Sequence, residues 1–343
     1  MNANSTEPYD SGLNGRSILV TGGTGSFGQK FIETVLKRYK PRRLVVYSRD
    51  ELKQYEMQHR FDPLKHRCLR YFLGDVRNIE RLKLALRGID TVVHTAALKQ
   101  VPAAEYNPTE CIHTNVLGAE NLVMACIDSE VKRLIALSTD KAANPINLYG
   151  ASKLASDKIF IAANRLSGES GTIFSCVRYG NVVGSRGSVV PLFQKLAKDG
   201  NDTIPITDPD MTRFWITLQQ GVDFVLQNLQ IMRGGEVFVP KIPSMRITDL
   251  ARALAPSAKH KIIGIRPGEK LHEVMITEDD ARDTLEFKDH FVIEPFYRNL
   301  DQHALPQRAT KVPRGFCYSS DKNPDWLNGN QLLEIINQSI AEV

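Results

Sequence analysis

The sequence predicts an α/β protein built on a doubly wound parallel sheet, with a smaller substrate lobe interleaved towards the C-terminus. Three observations carry that prediction. Short β-branched runs alternate with helical patterns through the first half of the chain, the signature of repeated βαβ units. A glycine-rich segment follows directly on the first of those runs. After about Arg178 the rhythm breaks and Gly and Pro become frequent, at Gly180, Gly184, Gly187, Pro191, Pro205 and Pro209.

In chain order, Ser17–Val20, Leu44–Tyr47, Leu69–Leu73, Thr91–His94, Leu134–Leu137 and Ile173–Val177 read as strands. The stretches between them are helical; Ala119, Leu122, Val123, Cys126 and Ile127 fall on one helical face. Residues 15–180 are expected to form a dinucleotide-binding core to which 214–238 returns, with 181–213 and 239–330 forming the substrate lobe and tail. In such a sheet ligands bind at the carboxyl ends of the strands.

Composition bounds the function. The chain has 343 residues, 42% hydrophobic and 24% charged, which is ordinary for a globular protein. No stretch approaches eighteen consecutive apolar residues, so no membrane span is expected. The polar start, Met1–Gly15, lacks the apolar middle of a signal peptide and reads as a lead-in to a cytoplasmic protein. The five cysteines are an odd number without paired spacing, which excludes a complete intrachain disulfide framework and points to inert thiols rather than metal ligands. A net charge of +5 without a basic run excludes a nucleic-acid surface and is compatible with an anionic small substrate.

The first strand runs into Thr21-Gly22-Gly23-Thr24-Gly25-Ser26-Phe27-Gly28, which contains both G-x-G-x-x-G and T-G-x-x-G-x-x-G. Glycines there permit a tight turn and let backbone amides approach a pyrophosphate at the next helix's N-terminus. With a strand before it and an amphipathic helix after it (Phe31, Val35, Leu36), the motif identifies a Rossmann core in which Gly22, Thr24, Gly25, Ser26, Phe27 and Gly28 hold the dinucleotide. After the second strand come Ser48-Arg49-Asp50. Ser48 and Arg49 suit the 2′-phosphate of NADP, while Asp50 leaves NAD open. Asp75 and Val76, after the third strand, stand where an adenine contact belongs.

The densest chemistry follows the fifth strand: Ser138-Thr139-Asp140-Lys141, then Tyr149-Gly150-Ala151-Ser152-Lys153. Tyr149 and Lys153 are four apart, so on a helix they project from one face. The lysine ammonium, together with an oxidised nicotinamide, is expected to lower the tyrosine's pKa and make it a base for a sugar hydroxyl. Thr139 is the accompanying hydroxyl residue.

This combination resembles the extended short-chain dehydrogenase/reductase family, whose members mostly modify nucleotide sugars. From Ile18 to about Ile276 the closer resemblance is to the inverting UDP-N-acetylglucosamine 4,6-dehydratases, carried by Thr21–Gly28, Tyr47–Lys53, Ala97–Pro102, Ser138–Tyr149, Arg178–Pro191, Met211–Trp215 and Ile265–Glu273. Within that group it is to the branch that opens pseudaminic acid synthesis: Tyr149 stands where capsule-type relatives carry methionine. Retaining dehydratases place Asp-Glu where this chain has Asp140-Lys141. The resemblance implies that Lys141 removes the carbon 5 proton and that Asp140 assists departure of the carbon 6 hydroxyl. The base must be neutral and the acid protonated, so a depressed Lys141 pKa is expected. It also implies a tightly bound NADP regenerated in each cycle, a homo-oligomer, and UDP-N-acetylglucosamine as substrate. Lys99 contacts cofactor or sugar in this reading, and Asn181 contacts the substrate. Arg213 and Arg266 offer planar forks to the diphosphate, at roughly 1.5–3 kcal/mol per charge-assisted bond. Two alternatives stay open: a nucleotide-sugar 4-epimerase, which needs Tyr149 and Lys153 but no carbon 5 base, and a non-catalytic dinucleotide sensor.

Overall fold

A computed structural model describes residues 12–168, 171–184, 188–295 and 309–341. Most of the N-terminal lead-in, Gly187 and the first part of the tail beyond Pro295 lie outside the described residues.

The expected strands all form, as β1 (Ser17–Thr21), β2 (Arg43–Ser48), β3 (Leu69–Leu73), β4 (Thr91–His94), β5 (Arg133–Leu137) and β6 (Ile173–Val177). They alternate with α1 (Ser26–Arg38), α2 (Glu51–Arg60), α3 (Ile79–Leu86), the short α4 (Val101–Tyr106) and α5 (Pro108–Ile112), α6 (Gly118–Asp128) and α7 (Leu148–Leu166). All five residues of β1 are buried, as are five of the six in β2, because helices cover the sheet on both faces. The spatial order is β3-β2-β1-β4-β5-β6-β10, all parallel, where β10 is Val237–Pro240. The strand order reverses between β1 and β4, which opens a crevice at their carboxyl ends.

Beyond β6 come β7 (Asn181–Val182), α8 (Val189–Lys198), β8 (Thr203–Ile206), β9 (Thr212–Ile216) and α9 (Leu218–Ile231). α9 packs on α1 and so returns to the core. After β10 follow β11 (Ser244–Arg246), α10 (Ile247–Leu254), β12 (Lys259–Ile262), β13 (Val274–Ile276), β14 (Thr284–Glu286), β15 (His290–Ile293), β16 (Thr310–Lys311), β17 (Tyr318–Ser319) and α11 (Gly329–Ala341).

Here the architecture departs from the expected division. The main sheet continues past β10 through antiparallel β15, β14 and β16, so part of 239–330 extends the core instead of forming the lobe. Phe291, Val292 and Ile293 join the main hydrophobic core. An antiparallel extension needs no crossover helix, so it leaves none of the βαβ rhythm by which the rest of the sheet is legible.

The lobe has its own core, with Val190, Phe193, Ile204, Ile206, Met211, Trp215, Met245, Leu250 and Leu332 buried together. It meets the main core along β9. Side chains alternate across a strand, so Phe214 and Ile216 enter the main core while Trp215 enters the lobe. The ring of Phe193 is 2% exposed within that lobe core. Phe193→Ala should therefore cost about 3–5 kcal/mol through lost burial and a residual cavity. Urea denaturation should show a lowered midpoint with one transition; an unchanged midpoint would mean that the lobe core contributes nothing to stability.

Candidate active site

A cavity of about 1140 Å³ runs along the carboxyl ends of the parallel strands, from the glycine loop to the substrate lobe. Its nucleotide end is made by backbone. Gly22 has φ of +64°, and a Cβ there would lie 2.8 Å from the Ala96 nitrogen. Gly28, in the first turn of α1, brings that helix against the loop; a Cβ would lie 2.6 Å from the Gly23 Cα. α1 begins after Gly25 with no side-chain cap and no acidic residue in its first turn, so its amides and the positive end of its dipole are offered to an anion. These features fit a dinucleotide pyrophosphate.

The loop is tied to the end of β2 by a 2.8 Å hydrogen bond between the Thr24 and Ser48 hydroxyls. Asp50 caps α2: its carboxylate accepts from the Lys53 amide at 3.0 Å and pairs with the Lys53 ammonium at 2.7 Å. Arg49 is half-exposed and 3.6 Å from Asp75, which bonds Arg77 more closely at 2.8 Å. Asp75 and the buried Val76 line the cavity, as does Lys99, whose pKa is lowered by burial. The loop carrying Lys99 is pinned by Asn115: its side chain accepts from the Leu98 amide at 2.8 Å and donates to the Leu98 carbonyl and the Ser152 hydroxyl, both at 2.9 Å. Asn115 lies in a single π-turn, His113–Leu117, between α5 and α6. Sequence patterns gave no warning of it beyond an asparagine inside an otherwise helical stretch.

The reacting end is assembled from β5 and α7. Asp140–Ala142 form a 3-10 turn just past β5. α7 starts at Leu148, capped by Asn147, whose carbonyl oxygen accepts from the Gly150 amide at 2.7 Å. The same side chain donates to the Gly268 carbonyl at 2.7 Å, fixing the start of α7 to the loop that carries Arg266 and Lys270. Gly150 packs directly on the Lys141 carbonyl, leaving no space for a Cβ. The cavity wall includes Thr139, Lys141, Tyr149 and Lys153, while Asp140, 1% exposed, is not on it. The Thr139 hydroxyl donates to Asp140 at 2.9 Å.

Lys141 is not poised as a neutral amine. Its Nζ lies 3.1 Å from Asp140 Oδ1 and 3.1 Å from Glu273 Oε1. Burial acts to lower its pKa, but the two carboxylates outweigh that and hold it above the usual range, opposite to the expected depression. Asp140 behaves as the acid role requires: burial and the charge of Glu273 push its carboxyl up against the pull of Lys141. Tyr149 is pushed up to about 12 by burial, with Lys141 and the Thr139 hydroxyl acting to lower it. The group that lowers it by charge is thus Lys141, rather than the expected Lys153.

Of the expected substrate contacts, Asn181 faces Lys141 at 3.5 Å and Arg266 is half-exposed on the wall, 3.8 Å from Glu269. Arg213 also reaches the wall, but its guanidinium already donates to the carbonyls of Thr212 at 2.7 Å, Leu271 at 3.1 Å and Lys270 at 2.9 Å. It fastens the 266–273 segment to β9. Sequence reasoning passed over Glu273, which is 1% exposed and ion-paired with Lys141. The sole signal for it was its place at the end of Ile265–Glu273.

A dinucleotide cradle, a Tyr-x-x-x-Lys helix and an upstream hydroxyl at one sheet edge define a short-chain dehydrogenase/reductase of the extended, nucleotide-sugar-modifying type. The chain belongs to the family described as polysaccharide biosynthesis protein, whose model matches residues 18–295. A protein of Campylobacter jejuni named UDP-N-acetylglucosamine 4,6-dehydratase (inverting) is 57% identical over 95% of this chain and 99% of its own. A UDP-glucose 4-epimerase of Rickettsia akari is 44% identical over 77% of this chain and 79% of its own. Among solved structures, Pen from Bacillus thuringiensis superposes with a TM-score of 0.86 at 35% identity, covering 96% of this chain and 98% of that one.

Gly28→Ala should push α1 away from the loop, at an overpacking cost of about 1–3 kcal/mol. Dinucleotide affinity should fall with it. Retained affinity in a fluorescence titration, with unchanged stability, would refute the close approach.

Proposed function

We propose that this protein is an inverting UDP-N-acetylglucosamine 4,6-dehydratase that uses NADP and produces the 4-keto-6-deoxy sugar with which pseudaminic acid synthesis begins. The observation that carries this is Asp140-Lys141 at the end of β5, beside Tyr149 and Lys153. Lys141 lines the cavity and Asp140 is buried directly behind it, 3.1 Å from its Nζ, an ionisable pair beyond what oxidation at carbon 4 requires. The 57% identity to relatives bearing that activity in their names supports it.

Thr24 and the start of α1 would hold the diphosphate of the cofactor, and Ser48 and Arg49 at the end of β2 its 2′-phosphate. Asp50 is already engaged as the cap of α2, which favours NADP over NAD. NADP supplies a hydride acceptor for carbon 4 and a donor for carbon 6, so it is not consumed. Tyr149 takes the proton of the carbon 4 hydroxyl; Lys141 offsets only part of what burial imposes on it, and the positive charge of an oxidised nicotinamide would lower its pKa further. Oxidation at carbon 4 acidifies carbon 5. Lys141, an ammonium at rest between two carboxylates, first gives up its proton to solvent. As the amine it removes the carbon 5 proton, and Asp140 donates to the carbon 6 hydroxyl as it departs as water. Protonation of carbon 5 on the opposite face completes the inversion. Arg266 and Asn181 orient the UDP-sugar, and Arg213 keeps the segment that carries Arg266 in place.

Arg49→Ala should weaken NADP binding far more than NAD binding, because NADP alone carries the 2′-phosphate; equal losses in a titration of both would sink that assignment. For the reaction itself, product formed from UDP-N-acetylglucosamine in deuterated water should carry deuterium at carbon 5 by NMR. Lys141→Ala should stall after oxidation and accumulate reduced-cofactor absorbance. A 4-epimerase would show neither water loss nor label. An unlabelled carbon 5, or wild-type dehydration by Lys141→Ala, would overturn the mechanism.

A further inference from the structure

Two buried carboxylates share one ammonium. Lys141 Nζ sits 3.1 Å from Asp140 Oδ1 and 3.1 Å from Glu273 Oε1, and each acid is 1% exposed. Their surroundings differ. Besides Lys141, Glu273 faces Arg213 Nε at 3.7 Å and Lys270 Nζ at 3.9 Å, cations supplied by β9 and by its own loop. Asp140 has Lys141 and the Thr139 hydroxyl. Two like charges held this close out of water cannot both stay ionised cheaply, and the one with more cations keeps its charge.

The backbone of Glu273 is fixed as well. Its amide donates to the Ser320 hydroxyl at 2.9 Å and its carbonyl accepts from the Ser320 amide at 2.8 Å, while that hydroxyl bonds Thr212 at 2.6 Å. The other titratable groups around the cluster are Tyr149 from α7 and His272, whose Nδ1 is 2.9 Å from the Thr212 hydroxyl. Asp157 and Tyr179 lie beyond Tyr149, Glu269 faces Arg266, and Asp321 faces His272 and Lys322.

We propose that Glu273 is a positioning residue for the elimination step: its fixed carboxylate keeps Asp140 in the acid form and holds Lys141 beside it. This rests on the dehydratase reading. The opposite shifts of the two acids, Asp140 up and Glu273 down, accord with it. The step balances with Glu273 unchanged. The Lys141 amine takes the carbon 5 proton, the C5–H electron pair becomes the second C5–C6 bond, and the C6–O bond breaks. The departing oxygen leaves as water with the proton of Asp140, so Lys141 ends as ammonium and Asp140 as carboxylate. The step needs the acid form of Asp140, the group that titrates lower, together with the base form of Lys141, the group that titrates higher. The rate should therefore be bell-shaped in pH, with limbs set by these two groups.

The test is the pH profile of UDP-N-acetylglucosamine dehydration by wild type, Glu273→Gln and Glu273→Asp. Removing the negative charge eases deprotonation of both Asp140 and Lys141. Both limbs of Glu273→Gln should therefore move to lower pH by about one unit or more. Glu273→Asp keeps the charge and should return the limbs close to their wild-type positions, whatever its rate. A Glu273→Gln profile reduced in height with its limbs in place would make Glu273 structural and overturn the inference. Should Glu273→Gln fail to fold, infrared difference spectra between wild type and Asp140→Asn decide the matter. A protonated-carboxyl band at neutral pH is expected from Asp140, and its absence overturns the proposal. A wild type that releases no water from the substrate defeats the dehydratase reading itself; normal wild-type dehydration with unshifted limbs defeats this inference alone.

Discussion

Parallel strands place all their carboxyl ends on one side of the sheet, and every reactive group described above depends on that constraint. The glycine loop leaves β1, Ser48 and Arg49 leave β2, Asp75 follows β3, Lys99 follows β4, and Thr139 to Lys141 follow β5. No one of these segments is unusual in isolation. The sheet's register, set by continuous burial of β1, β2 and β4, brings them to a common edge. α7 then adds Tyr149 and Lys153 from above, held by a capping asparagine that also grips the substrate-lobe loop.

The second organising feature is electrostatic. Asp140 and Lys141 come from the core, whereas Arg213, Lys270 and Glu273 come from the later half of the chain. Buried charges of this density are tolerated because each is opposed, and removing one partner strands another. The same cluster that suits proton transfer also joins the lobe to the core. Stability and chemistry are thus drawn from the same set of contacts.

Much of this was legible in the chain. The six strands and the glycine loop are local patterns, so periodicity and turn chemistry sufficed to place them, and the spacing of Tyr149 and Lys153 puts them on one helical face. What escaped notice is non-local. Glu273 is 132 residues from Lys141 in sequence, and nothing in its neighbourhood marks it as the counter-charge. The protonation of Lys141 follows from that same distant contact, which is why burial and positive charge alone pointed the wrong way. Arg213 looked like a free phosphate fork because a sequence does not reveal which backbone carbonyls a guanidinium meets. The antiparallel strands β14 to β16 were missed for want of intervening helices.

The two-faced character of β9 bears on how this architecture can be recombined. Phe214 and Ile216 serve one core and Trp215 the other, so no cut through the chain separates the halves cleanly. A chimera that imports a foreign lobe must bring β9 with it, and with β9 half of a seam matched to the recipient's own sheet. Exchange of sugar preference by wholesale lobe transplantation is accordingly disfavoured. Piecemeal change in the loop around Arg266, which lines the cavity and is exposed, is the route this fold leaves open.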